Sequence, residues 1–214
     1  MADTEIVDLA FRVTGGPIPA DHGYAVYSAI ARRVPTLHEN RRVGVHPIGG
    51  RPAGARRLAL TPASRLTLRL PAALITEAVA LIGVDLDLDG SALSLGAPTI
   101  APLVLRPALW SRLVTISGFM EPEPFLDAVR RQLGEIGVQG EPALLDRQHE
   151  GPIDGGAGSR DPRLRRTLRI RGRDIVGYAV HVGQLTADES LHLQEHGLGG
   201  RRRFGCGIFV PARG

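Results

Sequence analysis

Gly197-Leu198-Gly199-Gly200-Arg201-Arg202-Arg203-Phe204-Gly205-Cys206-Gly207 sets two Gly-x-Gly pairs around three consecutive arginines. Glycine has no Cβ, so the main chain can be approached closely and its N–H groups can turn toward an anion. Arginine adds a planar fork of donors that matches phosphate oxygens. The stretch therefore reads as an anion-binding loop. A Walker A loop is excluded because it needs a lysine and the chain has none, and the spacing is not G-x-G-x-x-G. A phosphate polymer suits the loop better than a mononucleotide.

The residues on either side place the loop in a fold. Thr186-Ala187-Asp188-Glu189 has the form of a capping box and opens a helix to about His196, and Ile208-Phe209-Val210 offers a strand after the loop. Upstream, 164–182 is strand sequence with Arg169, Arg171 and Arg173 opposite Leu168 and Ile170. Residues 147–162 have the composition of a flexible hairpin loop, 142–146 of a short strand, 123–136 of an amphipathic helix and 112–117 of a strand. The order is β-α-β-β-α-β, and it recurs toward the N-terminus. There a strand at 6–13 precedes a helix capped by Asp21, running to Arg33 and ended by Pro35. Short strands at 43–46 and 58–61 and a strand at 66–70 follow, then a helix opened by Pro71 through Ile82 and a hairpin at 84–95 turning at Asp89-Gly90. The prediction is an α+β protein of tandem ferredoxin-like repeats: an N-terminal domain at 1–96, a linker at 97–110 and a C-terminal domain at 111–214 that carries the glycine-rich loop.

Composition narrows the class of partner. With 214 residues and 43% hydrophobic content the chain can bury a core without disulfides, and it holds one cysteine, Cys206. It has no apolar run of about 18 residues, and Met1-Ala2-Asp3-Thr4-Glu5 lacks the basic start of a signal peptide, so a cytoplasmic protein with no membrane contact is expected. The net charge is only +4, yet all 26 basic residues are arginine and they are unevenly placed. Residues 160–173 hold Arg160, Arg163, Arg165, Arg166, Arg169, Arg171 and Arg173 against Asp161 alone. With Arg201, Arg202 and Arg203 they form the electrostatic footprint of nucleic-acid binding, with a solvated charged face as the alternative for the 160–173 run by itself.

The pattern Gly-hydrophobic-Gly, five residues rich in arginine, and Gly-hydrophobic-Gly, at the C-terminal end of a second ferredoxin-like repeat, resembles the signature of the CRISPR-associated RAMP proteins. The match is to their repeat-RNA endoribonucleases, the sixth of the numbered Cas families. Asp21-His22-Gly23-Tyr24 and Val43-Gly44-Val45-His46-Pro47-Ile48 are similar to the variant of the myxococcal subtype (MYXAN). The resemblance implies a metal-independent endoribonuclease that cleaves pre-crRNA into guide crRNA. A 2′-hydroxyl attacks the adjacent phosphate and leaves a 2′,3′-cyclic phosphate, with no cofactor. Its implied partners are CRISPR repeat RNA and crRNA, together with other Cas proteins of an interference complex. A non-catalytic RAMP subunit that holds guide RNA, or an unrelated ferredoxin-like RNA-binding protein, remains the alternative.

Such chemistry needs a general base near neutral pKa, a donor for the leaving oxygen and positive charge at the phosphorane. Histidine suits proton transfer because its unperturbed pKa is ~6.5. His38, in Leu37-His38-Glu39 after the first helix, is the first candidate by its family context, and His46 is the second; either could instead bond a carbonyl at a strand end. Tyr24 and Tyr27, spaced i, i+3 near His22, are candidates beside the scissile phosphate or are core aromatics. Arg41 or Arg42 is expected to neutralise the phosphorane. His192 and His196 share a helix face, but without a third ligand no metal site is expected. The resemblance implies that Arg163, Arg165, Arg166, Arg169 and Arg171, following a hairpin that inserts at the RNA stem, contact RNA. So do Gly197, Gly199, Arg201, Arg202, Arg203, Gly205 and Gly207.

Overall fold

The structure is a computed structural model; it describes residues 5–145, 165–170 and 173–212, and of 165–170, 173 and 174 the backbone only. Arg163, Arg171 and the predicted loop at 147–162 lie outside the described residues. The chain divides into two units, Met1–Pro102 with Arg203–Gly205 and Leu103–Arg202 with Cys206–Gly214.

In the first unit, β1 (Ile6–Gly15) and β2 (Ile18–Pro19) lead into α1 (Gly23–Arg33) and α2 (Pro35–Glu39). Short strands β3 (Gly44–Val45), β4 (Arg51–Pro52) and β5 (Arg57–Ala59) precede β6 (Arg65–Pro71). A broken helical segment containing α3 (Ile75–Ala78) then leads to β7 (Asp85–Asp87) and β8 (Ala92–Pro102). The main sheet runs β3-β6-β1-β8-β7, while β2, β5 and β4 form a separate three-stranded sheet. Alternation explains which face is buried: Val7, Leu9, Phe11 and Val13 of β1 and Leu66, Leu68 and Leu70 of β6 are all buried. They pack with Val26, Ala29 and Ile30 of α1 and Leu37 of α2 in one core, each large side chain contributing ~1.5–3 kcal/mol by leaving water.

The second unit is built from β9 (Leu109–Val114), α4 (Pro122–Glu135), β10 (Glu141–Leu144), β11 (Arg165–Ile170), β12 (Arg173–Gly183), α5 (Ala187–His196) and β13 (Val210–Pro211). Its sheet order is β10-β12-β9-β13, with β11 paired to β12. Without the extra short strands, both units follow one plan: the second, third, first and fourth strands of a β-α-β-β-α-β repeat lie side by side. The tandem ferredoxin-like reading therefore holds. The core gathers Val114, Phe125, Val129, Tyr178, Val180, Val182, Leu193 and Phe209. Thr186 and Glu189 form the expected capping box at the start of α5.

Several boundaries differ for local reasons. Strand β8 continues through Pro102 into the stretch predicted as linker, because among the described residues its outer edge beyond the short β7 has no partner strand and Pro98 and Pro102 need give no N–H there. The predicted helix from Pro71 breaks into a 3₁₀ turn, α3 and a second 3₁₀ turn, where β-branched Ile75, Thr76 and Val79 weaken the helix. Helix α1 begins at Gly23 with His22 at its N-cap in place of Asp21. Pro35 follows the end of α1 and also opens α2 as its first residue, which places His38 on a helical turn.

Candidate active site

Helix α1 buries Ala25, Val26, Ala29 and Ile30, which leaves Tyr24 and Tyr27 half-buried at the margin of that face. Leu37 anchors α2 in the core and leaves its neighbour His38 exposed. The Tyr27 hydroxyl and His38 Nδ1 are hydrogen-bonded, and their rings lie 5.4 Å apart. The part of the glycine loop that belongs to this unit completes the cluster. Phe204 packs edge-on against Tyr27 at 4.9 Å and against Tyr24 at 5.7 Å. Arg203 Nη1 donates to the Tyr27 hydroxyl oxygen at 3.4 Å, and its guanidinium carbon lies 6.0 Å from the ring centroid. Gly23 permits this approach, since a Cβ there would lie 2.3 Å from the Phe204 carbonyl oxygen.

The other histidines of the first repeat are bonded to neighbouring strands and loops. His22 is buried; its Nδ1 lies 2.9 Å from the Pro19 carbonyl oxygen and its Nε2 accepts from the Ile48 N–H at 2.9 Å. That pairing sets a neutral ring with the proton on Nδ1. His46 Nε2 lies 3.3 Å from Asp8 Oδ1, and Asp8 is held from its other side by two Arg69 bonds of 2.8 Å. Asp8 and Arg69 face each other across β1 and β6. Burial alone would raise the Asp8 carboxyl, but the Arg69 hydrogen bonds and His46 outweigh it and hold the group well below the usual carboxylate range. The structure thus ties His46 to an ion cluster on the sheet, and it is His38 that it joins to a tyrosine.

The three loop arginines go three ways. Arg201 Nη1 lies 3.4 Å from Thr115 Oγ1, beside β9. Arg202 donates to the carbonyls of Glu195 and Gln194, the C-terminal turn of α5, where a cation also complements the helix dipole. Arg203 reaches Tyr27. The N–H groups of Gly197, Gly199, Gly200 and Gly207 are bonded inside the protein, where the sequence reading expects them to face a phosphate. Gly197 N–H bonds Leu193, Gly199 N–H bonds Gln132 Oε1 at 2.7 Å, Gly200 N–H bonds Thr115 and Gly207 N–H bonds Leu113 at 2.7 Å. The glycines are required for close packing: a Cβ on Gly199 would sit 2.3 Å from the Thr115 carbonyl oxygen and one on Gly207 2.0 Å from that of Leu198. Gly205 makes a similar approach to Pro47, 3.1 Å from a Cβ at 205 to its ring.

Among the remaining predicted residues, Arg41 is exposed, and the Arg42 main-chain N–H donates to Asn40 Oδ1. Arg165, Arg166 and Arg169 occupy register positions opposite Tyr178, Gly177 and Asp174. His192 and His196 are exposed with rings 6.0 Å apart, and among the described residues no group of three or more His, Cys, Asp or Glu could hold a metal. Sequence reasoning missed Phe204. It also missed a second basic run, residues 41–76, which carries seven arginines and no acid; a count of acidic gaps would have found it.

Comparison with known proteins agrees with this architecture. The Cas6 family model, "Cas6 Crispr", matches residues 7–214. A protein of Myxococcus xanthus (strain DK1622) named CRISPR-associated endonuclease Cas6 is 38% identical over 205 residues, 96% of this chain and 81% of that protein. Two solved structures share the fold. One is described as a RAMP protein binding different RNA substrates, with TM-score 0.70 at 15% identity, covering 95% of this chain and 98% of that one. The other is a Cas6-related gene product from Pyrococcus furiosus, with TM-score 0.67 at 13% identity, covering 95% and 97%. With two ferredoxin-like repeats, a C-terminal glycine-arginine loop and a family match across almost its whole length, the chain belongs to the Cas6 family.

Proposed function

We propose that this Cas6-family chain cleaves CRISPR repeat RNA into guide crRNA through 2′-hydroxyl attack, with His38 as general base and Tyr27 as general acid. The observation that carries the residue assignment is the hydrogen bond between Tyr27 and exposed His38. In the tautomer with a proton on His38 Nδ1, that N–H donates to the Tyr27 oxygen, Nε2 is a free base, and the Tyr27 proton is available to substrate. His38 Nε2 takes the 2′ proton as the 2′ oxygen bonds phosphorus. The bond from phosphorus to the 5′ oxygen breaks, Tyr27 gives its proton to that oxygen, and the Nδ1 proton passes to Tyr27. One proton leaves the 2′ oxygen and one arrives at the 5′ oxygen, giving a 2′,3′-cyclic phosphate and a 5′-hydroxyl. No step calls for a metal.

RNA binding is assigned to Arg41, Arg42, Arg163, Arg165, Arg166, Arg169, Arg171 and the glycine-arginine loop, with exposed Arg51 and Arg56 of the acid-free run added. The name of the Myxococcus xanthus relative supports the endonuclease reading, and the RNA substrates in the description of the RAMP structure support the ligand class. No described helix is long and apolar enough to cross a membrane; the reading places the protein in the cytoplasm, with other Cas proteins as further partners.

The test is repeat RNA incubated with the protein in EDTA. The expected outcome is a single cut ending in a cyclic phosphate, abolished when the nucleotide before the cut is 2′-deoxy. His38→Ala should retain binding and lose ~10²–10⁴ of the rate. Cleavage of the 2′-deoxy substrate would overturn the mechanism, and a wild-type rate in the variant would overturn the assignment to His38.

A further inference from the structure

We propose that Arg203, delivered by the glycine loop, is the cation that stabilises the phosphorane, so that the loop supplies a catalytic residue as well as a grip on RNA. This rests on the assignment of Tyr27 and His38 to the cleavage step. The attack converts a phosphodiester with one negative charge into a phosphorane approaching two, and a cation fixed beside it lowers the barrier most when it need not move during the reaction. From the sequence alone Arg41 or Arg42 was expected there. The structure instead puts Arg203 against Tyr27, the residue that bonds His38.

Three other arginines have donors committed elsewhere. Arg69 is bound to Asp8 and Arg202 to the end of α5, while Arg201 reaches Thr115. For Arg203, among the described residues, the one hydrogen bond runs to the Tyr27 hydroxyl, and no carboxylate pairs with it. At 3.4 Å that bond is longer than the usual 2.7–3.2 Å. A phosphate oxygen, charged and able to accept two parallel N–H groups, would compete for the guanidinium effectively.

Two features hold it in readiness. Phe204, the next residue, packs against both tyrosines of α1. Gly23 allows the Phe204 carbonyl to lie against the first turn of that helix. The position of Arg203 relative to Tyr27 is therefore set by packing before any RNA binds, and a guanidinium stays protonated at every working pH.

The experiment measures single-turnover cleavage of repeat RNA at saturating protein, alongside the dissociation constant, for wild type, Arg203→Ala, Arg203→Lys and His38→Ala. Arg203→Ala should lose ~10²–10³ of the saturated rate, the usual effect of removing one preorganised donor, while its affinity falls less than about tenfold. Arg203→Lys, which keeps the charge without the fork, should bind like wild type and cleave at an intermediate rate. Millimolar guanidinium should restore part of the Arg203→Ala rate and none of the His38→Ala rate. A wild-type saturated rate in Arg203→Ala with weakened binding would overturn the proposal and leave Arg203 as a phosphate grip. If Arg203→Ala unfolds, a wild-type rate in Arg203→Lys overturns it and an intermediate rate sustains it. Wild-type cleavage of the 2′-deoxy substrate would instead defeat the underlying mechanism, a result distinct from either.

Discussion

Replacing Gly23 by alanine sets two effects of opposite sign against each other. Alanine is the better helix former by up to ~1 kcal/mol, so on propensity alone Gly23→Ala stabilises α1. The structure reverses that sign. The new Cβ would lie 2.3 Å from the Phe204 carbonyl oxygen and 3.1 Å from its carbon, so Phe204 must withdraw by about 1 Å to reach ordinary contact, at a cost near ~1–3 kcal/mol for overpacking. Net destabilisation of up to ~2 kcal/mol is expected by urea unfolding. The larger effect should be on catalysis, because Phe204 carries Arg203 with it: a displacement of about 1 Å near a reacting phosphate can cost ~10² in rate. Single-turnover cleavage at saturating protein, measured beside the unfolding curve, separates the two. A variant more stable than wild type with an unchanged rate would refute the claim that the Gly23 and Phe204 contact holds the loop in place.

Three further outcomes concern the scaffold. Arg69→Ala strands the Asp8 carboxylate beside His46 and should cost ~3–5 kcal/mol of stability, read as a lowered urea midpoint. Because Asp8 is held below its ordinary pKa in the folded state, its contribution is complete above the unfolded value of ~3.9 and is lost as pH falls toward the folded one; Asp8→Asn should flatten the stability profile below pH ~4, and an unchanged acid limb would contradict the cluster. Gly199→Ala forces a residue at φ 68° and brings a Cβ to 2.3 Å from the Thr115 oxygen. It should cost ~2–4 kcal/mol, and a stable variant would show that the loop can rearrange.

How far the sequence alone reaches follows from the range of the interactions. Strand alternation in β1 and β6, the capping box of α5 and the helix-ending role of Pro35 are local, and periodicity and composition expose them. The tandem repeat was legible for that reason. The candidate site is only partly legible: Tyr27 and His38 are 11 residues apart and lie on successive helices, so their pairing could be suspected, whereas Arg203 joins Tyr27 across 176 positions. Asp8 and Arg69 meet across 61 positions by strand register, which no local pattern announces. The glycine loop was recognised for what its residues can do, and misread in what its amides do: backbone donors look free in a sequence, and only the neighbouring β9 and α4 show them occupied.

The central claim, that His38 accepts the 2′ proton while Tyr27 protonates the leaving oxygen, is tested most directly with repeat RNA whose scissile 5′ oxygen is replaced by sulfur. A thiolate leaves without protonation, so the acid becomes dispensable and the base does not. Tyr27→Phe should be slow on ordinary repeat RNA and recover to near the wild-type rate on the sulfur substrate, while His38→Ala stays slow on both. Recovery of His38→Ala with no recovery of Tyr27→Phe would exchange the two roles and contradict the account.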